Sequence, residues 1–551
     1  YVNGGRERRR YHLSNQSQKN DLPTPFPSSY WVIPGLLLAG EYPGDINHRG
    51  AQKKLNSLVQ AGIRHIINLM EIDETDTSGK PFTAYDPVVA DLARDAGCAV
   101  TCERHPIKDL GVTDPSRMSH TLHAIDEAIK DRKPVYVHCW GGVGRTGTVI
   151  GCFLMRHGMA TRENAMEVIQ QLRSHDPKAH RVSPETPEQV EFVQSWLNHE
   201  DGTPTKLNRY LGCMLGGAAG DALGAPIEFM KLHEIRAKYG KSGIEDYGEA
   251  YGRIGAITDD TQMALFTAEG LLRAYTRGSD RGIWHPPAIV HHAYVQWLNT
   301  QGGTSRSQFN QSQAGSLVHI QGLHSQRAPG NSCLSALRGK EMGTMDRPIN
   351  DSKGCGTVMR IAPAGLFAES IEQAFEWGCE MGAITHGHPS GYLASGVLAG
   401  IIHALKSDVS LNDAIDRAVR LLKKADRHQE CLNAVEQAMA LAAKGDPCPE
   451  ALETLGGGWV AEEALAISLC CALCAEHDFA KGVLMAVNHS GDSDSTGAIT
   501  GNILGCINGK SAIPSKWLDR LELKDVIETL GMDLFVKHRP DDLWRDKYPG
   551  Y

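Results

Sequence analysis

The chain has 551 residues, 41% of them hydrophobic and 22% charged, with a formal net charge of −9 at pH 7. That length exceeds what one ordinary core serves, so two or three domains are expected. The acidic balance excludes a general nucleic-acid or membrane-surface binder, and the longest apolar runs fall short of the roughly 18 residues of a membrane span. No signal-peptide pattern opens the chain, and its first residue is Tyr1 rather than Met, so a missing start is expected. Its 14 cysteines lie mostly inside apolar patterns. Cys471 and Cys474 have CxxC spacing but no second pair to complete a zinc site, so they read as packing residues. Reduced thiols point to the cytoplasm.

Residues 1–27, with Arg6, Arg8, Arg9 and Arg10, read as a disordered, solvated leader. Short strands are predicted at 30–33 and 36–40 around the Pro34-Gly35 turn. The next predicted elements are a helix at 52–61, a buried strand at 64–69 and a helix at 91–96. An extended segment at 99–104, a helix at 119–130 and an apolar strand at 133–138 follow. A Gly-rich turn leads into a helix at 147–156, and a helix at 187–198 closes the region. This alternation predicts an α/β domain over 28–200, with a largely parallel central sheet flanked by helices. The polar segment 200–205 marks a boundary. Over 206–551 apolar residues recur at helical spacing, at 208–219, 260–275, 370–383, 391–406, 411–423, 429–443, 460–476 and 496–506. Strand-like alternation is nearly absent and no fixed-period repeat emerges, so the second domain is predicted to be all-helical. The tail 515–551, with Trp517, Trp544 and Tyr548, is expected either to pack on it or to be partly loose.

The most specific signal of the first domain is His138-Cys139-Trp140-Gly141-Gly142-Val143-Gly144-Arg145-Thr146-Gly147. A turn between a strand and a helix N-terminus aims backbone N–H groups inward and adds positive partial charge, a cradle for a phosphate dianion. The same field favours the Cys139 thiolate as nucleophile, and Arg145 can grip two phosphate oxygens. Thr146 is placed to ease departure of the thiolate. This C-x5-R-T pattern, with Trp31 to Gly35, Ile67-Asn68-Leu69 and Ser183-Pro184-Glu185-Thr186, resembles the protein tyrosine and dual-specificity phosphatases over about 28–198. The resemblance implies cysteine-dependent phosphate monoester hydrolysis without a cofactor, the turn 140–145 holding the phosphate. Pro106 to Val112 resembles the family's acid loop, which makes Asp109 the candidate general acid and Asp114 the fallback. Gln189 either orients the hydrolytic water or is a surface helix residue.

In the second domain, Thr258-Asp259-Asp260-Thr261 and Asp492-Ser493-Asp494-Ser495-Thr496 each open a predicted helix. Singly they would be ordinary caps. Brought together they would supply four carboxylates and two hydroxyls, a hard-oxygen site for one or two Mg²⁺ or Mn²⁺ ions, with zinc disfavoured by the lack of His or Cys ligands. Together with Gly220 to Glu228, these clusters resemble the ADP-ribosylglycohydrolase family over about 208–510. Pro329 to Cys333, Gly354 to Arg360, Thr385-His386 and Gly457-Gly458-Trp459 extend the match. The resemblance implies Thr258, Asp259, Asp260, Asp492, Asp494 and Ser495 as metal ligands, and Glu228 as acid/base or as the group steering the water. It also implies Gly354, Cys355, Gly356 and Thr357 as the diphosphate turn, with His386 near the adenosine end. Ser495 stands where the family more often has Thr, and Cys355 where it more often has Asn, two departures from the family's pattern at the metal and diphosphate positions. The Gly-rich run 216–224 lacks the strand and Lys of a P-loop.

The expected protein is thus a bifunctional hydrolase acting on phosphorylated substrates and on an ADP-ribosylated protein, nucleic acid or small molecule. Both sites could serve one substrate, such as phosphate-linked ADP-ribose. The alternative is an active phosphatase with a non-catalytic ADP-ribose-binding module. A phosphatase-like phosphate sensor is weakened by the intact Cys139, Arg145 and Asp109 set.

Overall fold

A computed structural model describes residues 22–44, 48–76, 78–196, 204–307 and 314–550. The basic run Arg6 to Arg10, residues 197–198 of the predicted closing helix and most of the polar segment 200–205 lie outside the described residues. The chain divides into two compact units, Tyr1–Asp201 and Gly202–Tyr551.

In the first unit the elements are β1 (Ser29–Ile33), β2 (Leu37–Gly40), α1 (His48–Gln60), β3 (His65–Asn68), α2 (Asp86–Asp95), β4 (Thr101–Arg104), α3 (Pro115–Lys130), β5 (Val135–His138), α4 (Gly144–Arg156), α5 (Ala165–Leu172) and α6 (Pro187–Gln194). The strands form one sheet in the order β1-β2-β5-β3-β4, with β1 antiparallel to β2 and the other pairings parallel. The sheet is therefore mixed, its antiparallel pair created by the short Pro34-Gly35 turn. Central strands β2, β3 and β5 are buried at every position, as strands covered on both faces must be. Helix α5 escapes the sequence pattern because it is only eight residues long and buries just Ala165 and Ile169.

The second unit contains α7 (Lys206–Gly224), α8 (Leu232–Tyr239), a small hairpin of β6 (Glu249–Ala250) and β7 (Arg253–Ile254), α9 (Asp259–Arg281), α10 (Pro286–Thr300), α11 (Asn331–Leu337), α12 (Ala362–Phe367), α13 (Ile371–Ala383), α14 (Pro389–Leu405), α15 (Leu411–Leu422), α16 (Gln429–Ala442), α17 (Pro449–Leu452), α18 (Ala461–Cys474), α19 (Phe479–Val487), α20 (Ser493–Asn508), α21 (Ser515–Leu518), α22 (Lys524–Val536) and α23 (Asp542–Lys547). Helix α10 carries no polar stripe to read, because it is buried on nearly all sides. The tail packs: Trp517, Trp544 and Tyr548 are buried. The Tyr548 hydroxyl donates to Asp533 at 2.6 Å and Trp544 Nε1 donates to Thr276 Oγ1 at 3.1 Å.

The Gly-rich run belongs to α7, and its glycines serve packing. Gly212, Gly216, Gly220 and Gly224 recur every fourth residue on one face, opposite Gly505, Gly501, Gly497 and Ser493 of the antiparallel α20. A Cβ on Gly220 would lie 2.0 Å from the Gly497 carbonyl oxygen, and one on Gly216 would lie 2.4 Å from that of Gly501. The two backbones touch with no side chain between them. Gly220→Ala should therefore cost about 3 kcal/mol by overpacking, read as a lowered Tm. Gly400→Ala in α14, where a Cβ meets the Ala418 methyl at 3.5 Å and Ile371 Cγ1 at 3.6 Å, both ordinary contacts, should be neutral or stabilise by about 0.5–1 kcal/mol.

Two candidate active sites

Strand β5 ends at His138 and α4 begins at Gly144, so residues 139–143 form the expected turn at a helix N-terminus. Gly142 has φ 71°, and a Cβ there would sit 2.6 Å from the Gly40 carbonyl carbon, so glycine alone fits. Cys139, Val143, Gly144, Arg145 and Thr146 are buried, whereas Trp140 and Gly141 are half-buried. Behind them the His138 ring nitrogen Nε2 lies 2.6 Å from the Tyr85 hydroxyl. Burial pushes the His138 pKa down to about 3, so this ring is neutral. Arg145 Nη1 and Nη2 each donate to one oxygen of Glu74 at 2.7 Å, Nη1 also to the Ile107 carbonyl at 3.1 Å. Nη2 lies 3.0 Å from Asp109 Oδ1. The buried Nε has no partner among the described residues, which leaves a charged donor for an anion.

Asp109 is half-exposed on the loop that carries Ile107, and that loop docks on Arg145. Asp114 caps α3, accepting from the Arg117 N–H at 3.0 Å, which holds its carboxyl below the usual range. Thr146 Oγ1 donates to the Gly40 carbonyl at 3.5 Å. Gln189 is fully buried rather than a surface residue: its Nε2 donates to the Gly111 carbonyl at 2.9 Å, and its Oε1 accepts from Glu185 N–H at 3.0 Å.

In the helical unit, the contact of α7 with α20 brings the two acidic clusters together. Asp221, near the end of α7, accepts from the Thr258 N–H at 3.1 and 3.0 Å and from the Thr261 N–H at 3.2 Å, and it takes the Thr261 hydroxyl. It thereby fixes the start of α9. Asp492 caps α20, accepting from the Ser495 N–H at 3.3 Å, and Asp494 Oδ1 accepts from the same N–H at 2.9 Å. Oxygens of Glu228, Asp492 and Asp494 lie within 4.8 Å of one another. Asp259 and Asp260 are buried beside them, and their carboxyls are driven well up by burial and then by the charge of Asp494. Burial and Asp494 also raise Asp221 to about 7 and, with Asp492, Glu228 to about 11. Glu228 Oε2 and Asp260 Oδ2 are buried without partners among the described residues. A cluster of this kind, with orphaned oxygens and hard donors, fits divalent metal ions. Ser495 Oγ meets Met359 Sδ at 3.9 Å.

The Gly354–Thr357 turn is a one-turn helix beside this cluster. The Cys355 N–H donates to the Trp459 carbonyl at 3.1 Å and the Gly354 N–H to Ser352 Oγ at 3.4 Å. The amides of Gly356 and Thr357 are thus the ones this turn can offer a diphosphate. Cys355 turns its Sγ onto Asp492 Oδ2 at 2.7 Å, so the residue that stands in for Asn belongs to the acidic cluster. His386 packs under the turn: Cβ atoms on Gly354 and Gly356 would meet its ring at 3.2 and 3.3 Å, and burial lowers its pKa to about 3.

A family model described as ADP-ribosylglycohydrolase matches residues 202–543, more than half the chain. The chain belongs to the ADP-ribosylglycohydrolase family. A second model, described as the DSP-PTPase phosphatase domain of a Swiss Army Knife protein, matches residues 27–190, so both domains belong to hydrolase families. The chain is 27% identical over 326 residues to the ADP-ribosyl-[dinitrogen reductase] glycohydrolase of Rhodospirillum rubrum, covering 58% of this chain and 92% of that protein. It is 24% identical over 363 residues to the ADP-ribosylarginine hydrolase Tri1 of Pseudomonas putida (strain GB-1), covering 65% and 86%. To the human cyclin-dependent kinase inhibitor 3 it is 26% identical over 126 residues, covering 23% of this chain and 56% of that protein. No helix among the described residues is long and apolar enough to cross a membrane.

Sequence reasoning gave no role to two residues of these candidate sites, Glu74 and Asp221. Glu74 lies 71 residues from Arg145, and no spacing rule ties a loop carboxylate to a distant arginine. Asp221 lies in the Gly220 to Glu228 stretch, whose match marks no role for it, and Glu228, expected as acid/base or as the group steering the water, also lies within 4.8 Å of oxygens of Asp492 and Asp494. Without metal the folded carboxyls hold protons that the unfolded chain releases above about pH 4. Stability of the metal-free protein should therefore fall as pH rises from 4 through 7. A hundredfold excess of Mg²⁺ or Mn²⁺ over Kd should restore about 2.7 kcal/mol, measured as a Tm shift. Asp494→Asn should raise the metal-free Tm and abolish that response.

Proposed function

We propose that the chain is a bifunctional hydrolase, with a cysteine-dependent phosphatase in the first unit and a metal-dependent ADP-ribosyl hydrolase in the second. In the first, Cys139 Sγ attacks phosphorus while Arg145 and the amides of residues 140–145 hold the equatorial oxygens. Asp109 gives its proton to the leaving oxygen, and the cysteinyl phosphate is then hydrolysed by a water that returns a proton to Asp109. The products are the alcohol and inorganic phosphate. Glu74 positions the Arg145 guanidinium, and Gln189 tethers the Gly111 carbonyl at the back of the acid loop.

In the second, Glu228, Asp259, Asp260, Asp492 and Asp494, with the hydroxyls of Thr258 and Ser495, would hold the ions. Mg²⁺ or Mn²⁺, most simply as a pair, would supply Lewis acidity to the ribose hydroxyls when bound. Glu228 handles the proton of the attacking water, Asp221 holds the Thr258 segment in place, and the Gly354–Thr357 turn and His386 receive the diphosphate and adenosine end. The observation that carries this reading over a non-catalytic binding module is the set of buried carboxylates with orphaned oxygens at Glu228 and Asp260. A module that only binds ADP-ribose has no need of so costly a charge cluster.

The test is release of ADP-ribose and of inorganic phosphate from arginine-, serine- and phosphate-linked ADP-ribose, with and without Mg²⁺. Metal-dependent ADP-ribose release should be lost in Asp259→Ala and kept in Cys139→Ser. Tight ADP-ribose binding with no release from any linkage would favour the binding module. Phosphate appearing from the phosphate-linked compound and lost in both Asp259→Ala and Cys139→Ser, with ADP-ribose release kept in the latter, would put both steps on one substrate in that order. On an aryl phosphate, Glu74→Gln should lower kcat about tenfold or more while KM moves less, because it frees the guanidinium from its geometry.

A further inference from the structure

Helix α18 opens with Ala461, Glu462 and Glu463, and both glutamates lie in its first turn. Carboxylates at this place complement the helix dipole. Successive positions on a helix point about 100° apart, so the two side chains leave α18 in different directions. Each reaches a different part of the glycohydrolase site.

Glu462 is buried, and its Oε1 takes the Lys353 ammonium, which also donates to Glu430 Oε1 at 2.6 Å. Lys353 is the residue before the Gly354–Thr357 turn. Its carbonyl accepts from the Ala461 N–H at 2.8 Å, so backbone and ammonium are both fastened to the first turn of α18. One residue on, Gly354 pairs with Val460 in an antiparallel bridge. The direction of the Gly356 and Thr357 amides follows from that double attachment. A buried ion pair adds little stability after its desolvation, so what Glu462 contributes is the placement of Lys353.

Glu463 turns the other way. Its Oε2 accepts from the Gly457 N–H at 3.0 Å, and the Gly457 carbonyl in turn accepts from the Asp492 N–H at 2.9 Å. A Cβ on Gly491 would lie 2.0 Å from that carbonyl oxygen, so only bare backbone permits the approach. Glu463 therefore holds a peptide unit against the residue that caps α20 and lies within 4.8 Å of Glu228 and Asp494 oxygens.

We infer that Glu462 and Glu463 are positioning residues with separate duties: Glu462 sets the diphosphate turn through Lys353, and Glu463 sets Asp492 through Gly457. Both act through a neighbour, and neither is itself a ligand. These duties rest on the glycohydrolase reading above and add how one helical turn aligns the anion-binding and cation-binding halves of the site.

The test compares Glu462→Ala with Glu463→Ala in the full chain. The variants are matched, since each removes one charge from the same turn and puts a good helix former in its place. Two readouts are taken: affinity for ADP-ribose at saturating Mg²⁺ by calorimetry, and the Mg²⁺ concentration needed for a fixed rise in Tm without ADP-ribose. Glu462→Ala should weaken ADP-ribose binding about tenfold and leave the Mg²⁺ requirement in place. Glu463→Ala should raise the Mg²⁺ requirement about tenfold and leave ADP-ribose affinity at saturating Mg²⁺ unchanged. Lys353→Met should reproduce Glu462→Ala, and the double variant should bind no more weakly than either single one. Equal losses of both readouts in both variants, as a merely structural role would give, would overturn the assignment. Crossed effects, or no change in either variant, would overturn it too. Wild type that binds no ADP-ribose, or shows no Mg²⁺ response, defeats the glycohydrolase reading and the two duties with it.

Discussion

The second unit is organised around the approach of two helices to within backbone contact. Side chains normally hold helix axes 8–10 Å apart. Along α7 and α20 the glycines remove them, and carbonyl oxygens fill the space where Cβ atoms would stand. Asp221 sits on one helix of that contact, and Asp492 and Asp494 sit at the start of the other. Asp221 then takes hold of the Thr258 segment, and the second acidic cluster follows. The carboxylate spacing thus traces back to peptide geometry rather than to the choice of rotamers.

The two sites use helix N-termini in opposite ways. At α4 the turn carries no acid, and the partial positive charge of the helix joins Arg145 in a field that awaits an anion. At α9 and α20 the same partial charge is met by the protein's own carboxylates, and there are too many for the helices to neutralise. The raised pKa values of Asp221 and Glu228 record that excess. Each site leaves a buried polar atom without a partner among the described residues, Arg145 Nε in the first and Glu228 Oε2 in the second.

Motif and period carried much of this in the sequence. The C-x5-R-T turn announced its own loop geometry because strand, turn and helix are contiguous, and the acidic clusters announced themselves as caps because capping is local. The largely parallel sheet was legible too, with its one antiparallel pair at the predicted Pro34-Gly35 turn, whereas helix α10 was not, since burial on nearly all faces leaves no distinct period. Glu74 was invisible for a different reason: a salt bridge across 71 residues leaves no mark in spacing. Cys355 was visible as an oddity whose purpose only its direction, toward Asp492, could reveal. Gln189, read as either a water-orienting or a surface residue, is buried because α6 closes over the acid loop.

The pairing of α7 with α20 also dictates an order of events as the chain is made. Asn502 donates to the Cys213 carbonyl across 289 residues, so the first helix of this unit meets its partner only when the unit is nearly complete. Loop-closure entropy of that size makes the contact a late one in folding. Until α20 emerges, α7 presents a row of bare glycine backbone with nothing to cover it. A chain cut short before residue 492 would hold the Thr258–Thr261 cluster without the acidic residues that face it, whatever else of its helical fold had formed.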